Sequence, residues 1–210
     1  MAALPRIREW REAHRAVAIT PGRYPCASES LLRRPAKGER LPRINDLVDL
    51  CNAHSLASRL PIACCDVAGI GAFRLAPASG AEEFLPLGSP DAPERPEPGE
   101  VAFLDERGRA HSRRWNWRQS DVVATRPGRR RLMISVESAH PGGRQDVAEV
   151  LESLRRVLAP RMTAGTAPHT VVLHPDRRSG AVLPAVPAAP AGGSDDAGPA
   201  SWTRVSGRRW

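Results

Sequence analysis

The sequence predicts an α+β domain in which a mixed sheet packs against helices. Three observations carry this: amphipathic helical stripes near both ends of the first 160 residues, short apolar runs bounded by Gly and Pro between them, and a hairpin signal in the middle. Taken in order, IREWREAHRAV (7–17) and SESLLRR (28–34) read as short helices, separated by the breakers Pro21, Gly22 and Pro25. INDLVDLCNAHSLASR (44–59) puts Ile44, Leu47, Val48 and Cys51 at i, i+3, i+4 and i+7, an amphipathic stripe. Asn45 is placed to cap that helix, Asp46 and Asp49 suit its positive end, and Pro61 stops it.

PIACCDV (61–67), GAFRLA (71–76), VAFLD (101–105) and RLMISVES (131–138) follow as expected strands. VAFLDERGRAHSRRW reads as a hairpin turning at Glu106, Arg107 and Gly108, and GSPDAPERPEPGE (88–100), with four Pro, as a loop. RQDVAEVLESLRRVLAP then aligns Val147, Val150, Leu151, Leu154 and Leu158 on one face of a helix ending at Pro160. Residues 1–160 are expected to form the domain. Residues 161–210, with 9 Ala, 6 Gly and 6 Pro, are expected to form a disordered tail, because such a composition buries too little apolar surface to offset its ordering entropy.

A domain of roughly 150 residues buries about 68–70 % of the surface its unfolded chain exposes, which excludes staple-dependent small scaffolds. No stretch reaches the roughly 18 apolar residues of a membrane span, and MAALPRIREW carries charges where a signal peptide needs an apolar run. A cytoplasmic protein with no membrane partner is therefore expected. Cys26, Cys51, Cys64 and Cys65 form no C-x-x-C and no ligand spacing with the six His, so buried reduced thiols are expected, with no metal and no cofactor. P-loop, dinucleotide, nucleophile-elbow and H-E-x-x-H motifs are absent.

The formal charge is +8, and all but one of the 31 basic side chains are Arg, a pattern of GC-rich coding. Its position is more informative than its size. Residues 107–131 hold nine Arg against the single acid Asp121, a surplus equal to the whole net charge. If Arg113–Arg118 continue the hairpin strand, Trp115 and Trp117 face one side and Arg114, Asn116 and Arg118 the other. Such a strand suits a polyanion with stacking bases; the competing reading is two core Trp beneath a solvated Arg face. Asn45, Asp49 and Asn52, with Ser55 beyond them, form a polar helix face beside the apolar stripe, fit either to line a pocket or to cap and solvate the helix. Glu100, after Pro98 and Gly99, is a third candidate, or simply a charge at a strand entry.

LPRINDLVDLCNAHSLASRLPIACCDV, the F-x-P-L-G of Phe84 to Gly88, PEPGEVAFLD, RRWNWRQSD and RRLMISVES occur in an order that resembles the B3/B4 domain of the phenylalanyl-tRNA synthetase beta subunit. The likeness is nearer still to free-standing proteins built around that domain, and runs from about Trp10 to about Leu158. It implies hydrolysis of mischarged aminoacyl-tRNA in trans, in a pocket between the sheet and its helices, with the tRNA 3′ acceptor end as partner. On this reading Asn116, Asn52 and Glu100 or Asp121 orient a water and take its proton. Asn45, Asp49, Ser55, Trp115 and Trp117 bind substrate, and Arg113, Arg114 and Arg118 hold the terminal nucleotides. The alternatives are a tRNA- or RNA-binding module without catalysis, and an inactive remnant. The sequence departs from the synthetase pattern at Ala63, where a His is usual, and at RPGRRR, where Thr and Glu are usual. The comparison with such relatives also leads one to expect that an upstream strand-rich segment is missing, which is expected to leave an open sheet edge.

Overall fold

The structure is a computed structural model that describes residues 2–128, 131–162 and 168–180. Helix α1 (Pro5–Ala16) begins with Pro at its first turn and buries Ile7, Trp10 and His14, spaced for one face. Helix α2 (Ala27–Ala36) buries Glu29, whose carboxylate takes Arg11 Nη2 at 3.0 Å and Arg33 Nη2 at 2.8 Å, so two helices share one buried charge. Helix α3 (Asp46–Ser58) starts as the sequence predicts: Asn45 caps it, its side chain accepting from Val48 N. It ends at Arg59, whose φ of 60° takes the left-handed position usually given to Gly. Ile44 precedes the helix and is 57 % exposed, so the expected stripe loses its first member and begins at Leu47.

Among the described residues three strand pairs follow, all antiparallel. β1 (Ile62–Asp66) pairs with β6 (Leu132–Val136), joining Ile62 to Val136 and Asp66 to Leu132. β2 (Arg74–Pro77) pairs with β3 (Val101–Leu104), and β4 (Ser112–Arg113) with β5 (Arg118–Gln119). The hairpin after β3 turns where expected: Asp105 N donates to Arg109 O, and His111 N to Phe103 O. A parallel bridge between Glu83 and Arg109 ties the preceding loop to it. Helix α4 (Gly143–Leu158) closes the domain, with Leu154 buried and Val150 packed on Cys51, Ile62 and Cys64.

Among the described residues the core is four small clusters, not one. Phe84, Ala102, Leu104 and Ala110 pack under the hairpin; Ile7, Trp10 and Cys26 gather Trp115. Cys51, Ile62 and Cys64 join α3 to the β1–β6 pair, and Cys65, Val67 and Val123 lie on its other side. All four cysteines are buried and free, as expected. Most of the expected tail lies outside the described residues. Within it, residues 168–180 contain a turn closed by His174 and Arg177.

Candidate functional site

The RRWNWR stretch does not continue the strand. Residues 114–117 form the turn between β4 and β5, and Arg114 (φ 48°) and Trp115 (φ 64°) are both left-handed. Two consecutive left-handed non-glycine residues cost of order 1–3 kcal/mol each, so neighbours must impose them. Arg114 N donates to Glu100 Oε1 at 2.9 Å and Trp115 N to Val101 O at 2.6 Å. The expected alternation of an aromatic and a cationic face is therefore overturned.

Glu100 is the anchor of this turn. Its side chain is fully buried. Arg113 Nε reaches Oε1 at 2.7 Å, Arg113 Nη2 reaches Oε2 at 3.1 Å, and Glu97 N donates to Oε2 at 3.2 Å. Burial acts to raise the Glu100 carboxyl, but Arg113 and the N–H groups of Arg114 and Glu97 outweigh it and hold it below the usual carboxylate range. Every acceptor direction is taken, so Glu100 fixes the turn and does not accept a proton from water. The three expected RNA-binding arginines are likewise engaged. Arg113 also pairs with Glu94 at 2.6 Å, Arg114 with Glu97 at 2.5 Å, and Arg118 with Glu94 at 3.2 Å while lying over the Phe84 and Trp117 rings. With Arg109 on Asp105 and Arg126 on Asp121, much of the surplus charge of 107–131 is matched by neighbouring acids. Arg118 is the most exposed of the three, at 36 % of its side chain.

Beyond the turn, Trp115 Nε1 donates to Glu137 Oε1 at 3.2 Å and Asn116 Nδ2 to Glu137 Oε2 at 2.7 Å. Trp115 packs edge-on against Trp10, with ring centroids 5.2 Å apart, which makes it core and not a stacking platform; Trp117 packs edge-on against Tyr24. Burial raises the Glu137 carboxyl despite these two donors. Sequence reasoning missed Glu137, though an acid closing the apolar run RLMISVES was a visible irregularity. Asn116 Oδ1 and His14 Nε2 are both buried, and neither makes a hydrogen bond of ordinary geometry. Burial lowers the His14 imidazole, and the Tyr24 carbonyl and Asn116 oppose it in part.

The polar face of α3 divides. Asn45 caps the helix and donates to Thr125 Oγ1 at 3.3 Å, reaching the segment after Asp121. Asp49 accepts from Ile44 N and pairs with Arg43 at 3.0 Å. Ser55 is wholly buried with its hydroxyl donated to Leu60 O at 2.6 Å, so it closes the helix end instead of lining a pocket. Asn52 is half-buried, and its side chain has no hydrogen-bond partner among the described residues. Asp121 opens a single 3₁₀ turn (Asp121–Val123), its N–H on Leu85 O and its carboxylate 2.6 Å from Arg126.

Between the β1–β6 pair and the β3–β5 hairpins lies a cavity of about 40 Å³, walled by Ala63, Cys65, Phe103, His111, Gln119 and Ser135, among others. Gln119 bridges its two sides by donating to Cys64 O at 3.0 Å and Val123 O at 3.1 Å. Burial pushes the Cys65 thiol up to about 12, so it is an inert wall at neutral pH.

The B3/4 domain family matches residues 9–152, more than half of the chain, running from within α1 through both hairpins and most of α4. The chain belongs to the B3/4 domain family. Membership is consistent with a tRNA-related role, and the matched span contains every candidate residue described above. No curated protein and no solved structure matches. Among the described residues, no helix is long and apolar enough to cross a membrane.

Proposed function

We propose that this B3/4 domain protein hydrolyses mischarged aminoacyl-tRNA in trans, by attack of an oriented water on the ester. The observation that carries the reading is the family match over residues 9–152, together with the order of motifs along that span. Hydrolysis of an activated ester needs a held water, an acceptor for its proton and donors for the oxyanion. Asn116, aligned by Glu137, and Asn52, with its amide uncommitted, are the groups proposed to contact the aminoacyl end. Arg118 and Arg126 are proposed to meet the nucleotides, with phosphate exchanging for their carboxylate partners Glu94 and the part-exposed Asp121. Arg113, Arg114 and Glu100 support the turn that presents Asn116.

The engagement of Glu100 favours a second reading, binding of tRNA without turnover. One assay separates the two. A panel of mischarged tRNAs incubated with the purified chain is expected to show hydrolysis above the spontaneous rate for at least one pair. No hydrolysis for any pair, with binding that weakens steeply as salt rises, supports the binding module; no binding even at low salt defeats both.

A further inference from the structure

His111 is nearly fully buried, and its ring forms part of the wall of the inter-sheet cavity. Its Nε2 lies 3.0 Å from Asp105 Oδ2. Burial acts to raise the Asp105 carboxyl, but Arg109, His111 and the backbone N–H groups of Arg109 and Arg107 hold it at about 2, so at neutral pH the carboxylate can only accept. The hydrogen therefore sits on Nε2, and Nδ1 carries the lone pair. Nδ1 is buried and has no partner. A buried acceptor left unpaired costs about 1–3 kcal/mol, so a native fold that keeps one usually has an unseen donor beside it. The cavity has the room: a water needs about 10–15 Å³ of such space, against the 40 Å³ present. An aromatic side chain does not fit. Of the other polar groups around it, Gln119 donates to two carbonyls and Ser112 Oγ accepts from Phe103 N, while the Ser112 and Ser135 hydroxyls line the same cavity and supply the further partners a buried water needs.

We propose that His111 Nδ1 holds a buried water in this cavity and acts as the base that activates it, with Asp105 as the positioning residue that fixes the tautomer. The chemistry rests on the deacylation reading; the bound water does not. In the reaction, the water gives a proton to Nδ1 while its oxygen bonds to the ester carbonyl carbon at the cavity mouth. The tetrahedral intermediate then expels the ribose oxygen, which takes the proton back from the imidazolium, leaving free amino acid and tRNA. Asp105 and Arg109 are the charged groups facing the ring, and the Cys65 thiol stands in the same cavity wall.

Two measurements test it. Long-range ¹H–¹⁵N spectra of the wild-type chain, with His111 identified through its contact with Phe73, are expected to show the Nε2–H tautomer and a water cross-peak to the ring. Ala63→Leu, which fills the cavity from the opposite wall, is expected to remove the cross-peak and keep the tautomer. In single-turnover deacylation, His111→Gln is expected to lower the rate constant by about 100-fold or more. Asp105→Asn is expected to lower it and to populate the Nδ1–H tautomer. An Nδ1–H tautomer in the wild type, or no water at the ring, overturns the proposal whatever the activity. Unchanged deacylation in His111→Gln overturns the base role and leaves the deacylase reading standing. If no mischarged tRNA is hydrolysed, that reading fails instead and the spectra alone decide the water site.

Discussion

The turn built on Glu100 and the cavity walled by His111 are close neighbours along the chain and opposite in character. Around Glu100, donors are in excess: two arginines and two backbone N–H groups converge on a single carboxylate. Around the cavity they are short, and His111 Nδ1 has none. The charge-rich segment thus turns inward and saturates the Glu100 carboxylate, whereas a few residues away, beside the Asp105–Arg109 pair, the same segment leaves the His111 Nδ1 valence unfilled. Conspicuous charge marked architecture here, and unsatisfied polarity marks the candidate chemistry.

The sharpest way to break this comparison is Glu100→Ala. It leaves Arg113 buried without its main partner, and a loss of about 3–5 kcal/mol is expected in urea denaturation. A loss under 1 kcal/mol would mean that the turn is not saturated by Glu100. Next in size is Asn116→Ala. Removing the donor to buried Glu137 is expected to cost about 1–3 kcal/mol, read from the same denaturation curves. Loss of deacylation beyond the fraction unfolded would separate its proposed contact role from that support.

A third test is the pH dependence of melting. Burial lowers both His14 and His111 from the ordinary 6.5, with hydrogen bonds opposing in part. The unfolded chain therefore binds more protons below about pH 6.5, so the stability these rings contribute is complete above that pH and is lost as pH falls toward their folded values. Glu137, raised by burial, acts in the other sense: its effect is a loss of stability as pH rises from the ordinary 4.5 toward its higher folded value. Melting temperature is expected to fall on acidification below 6.5, and less so in His111→Gln. The smallest effect belongs to Arg118→Ala. Its ion pair with Glu94 is more than one third exposed on both sides, and a change of about 0–1 kcal/mol is expected. A reduced salt slope in RNA binding by the same variant would place Arg118 at the nucleotide surface.

Much of the fold was legible because it rests on local chemistry. The Asn45 cap, the Val147–Leu158 stripe and the hairpin turn at Glu106–Gly108 each depend on residues within a few positions of one another, and the structure shows all three. The Arg113–Arg118 strand failed for a nonlocal reason. Period-2 alternation assumes an uninterrupted extended chain, while Glu100, more than ten residues away, captures Arg114 N and forces the left-handed turn. Ser55 failed for a local reason, since its hydroxyl is spent on Leu60 O, five residues on, where the chain leaves the helix.

The sequence by itself determined an α+β domain of the B3/4 family, buried reduced thiols and the segment holding the charge surplus, because composition, periodicity and motif order are properties of the chain. Tertiary structure alone decided which of those charges are free, that Glu137 receives Trp115 and Asn116, and that His111 keeps a lone pair unmet. Hydrogen-bond saturation is a count of partners in space, and partners brought together from positions 14, 100, 116 and 137 leave no periodic trace along the chain.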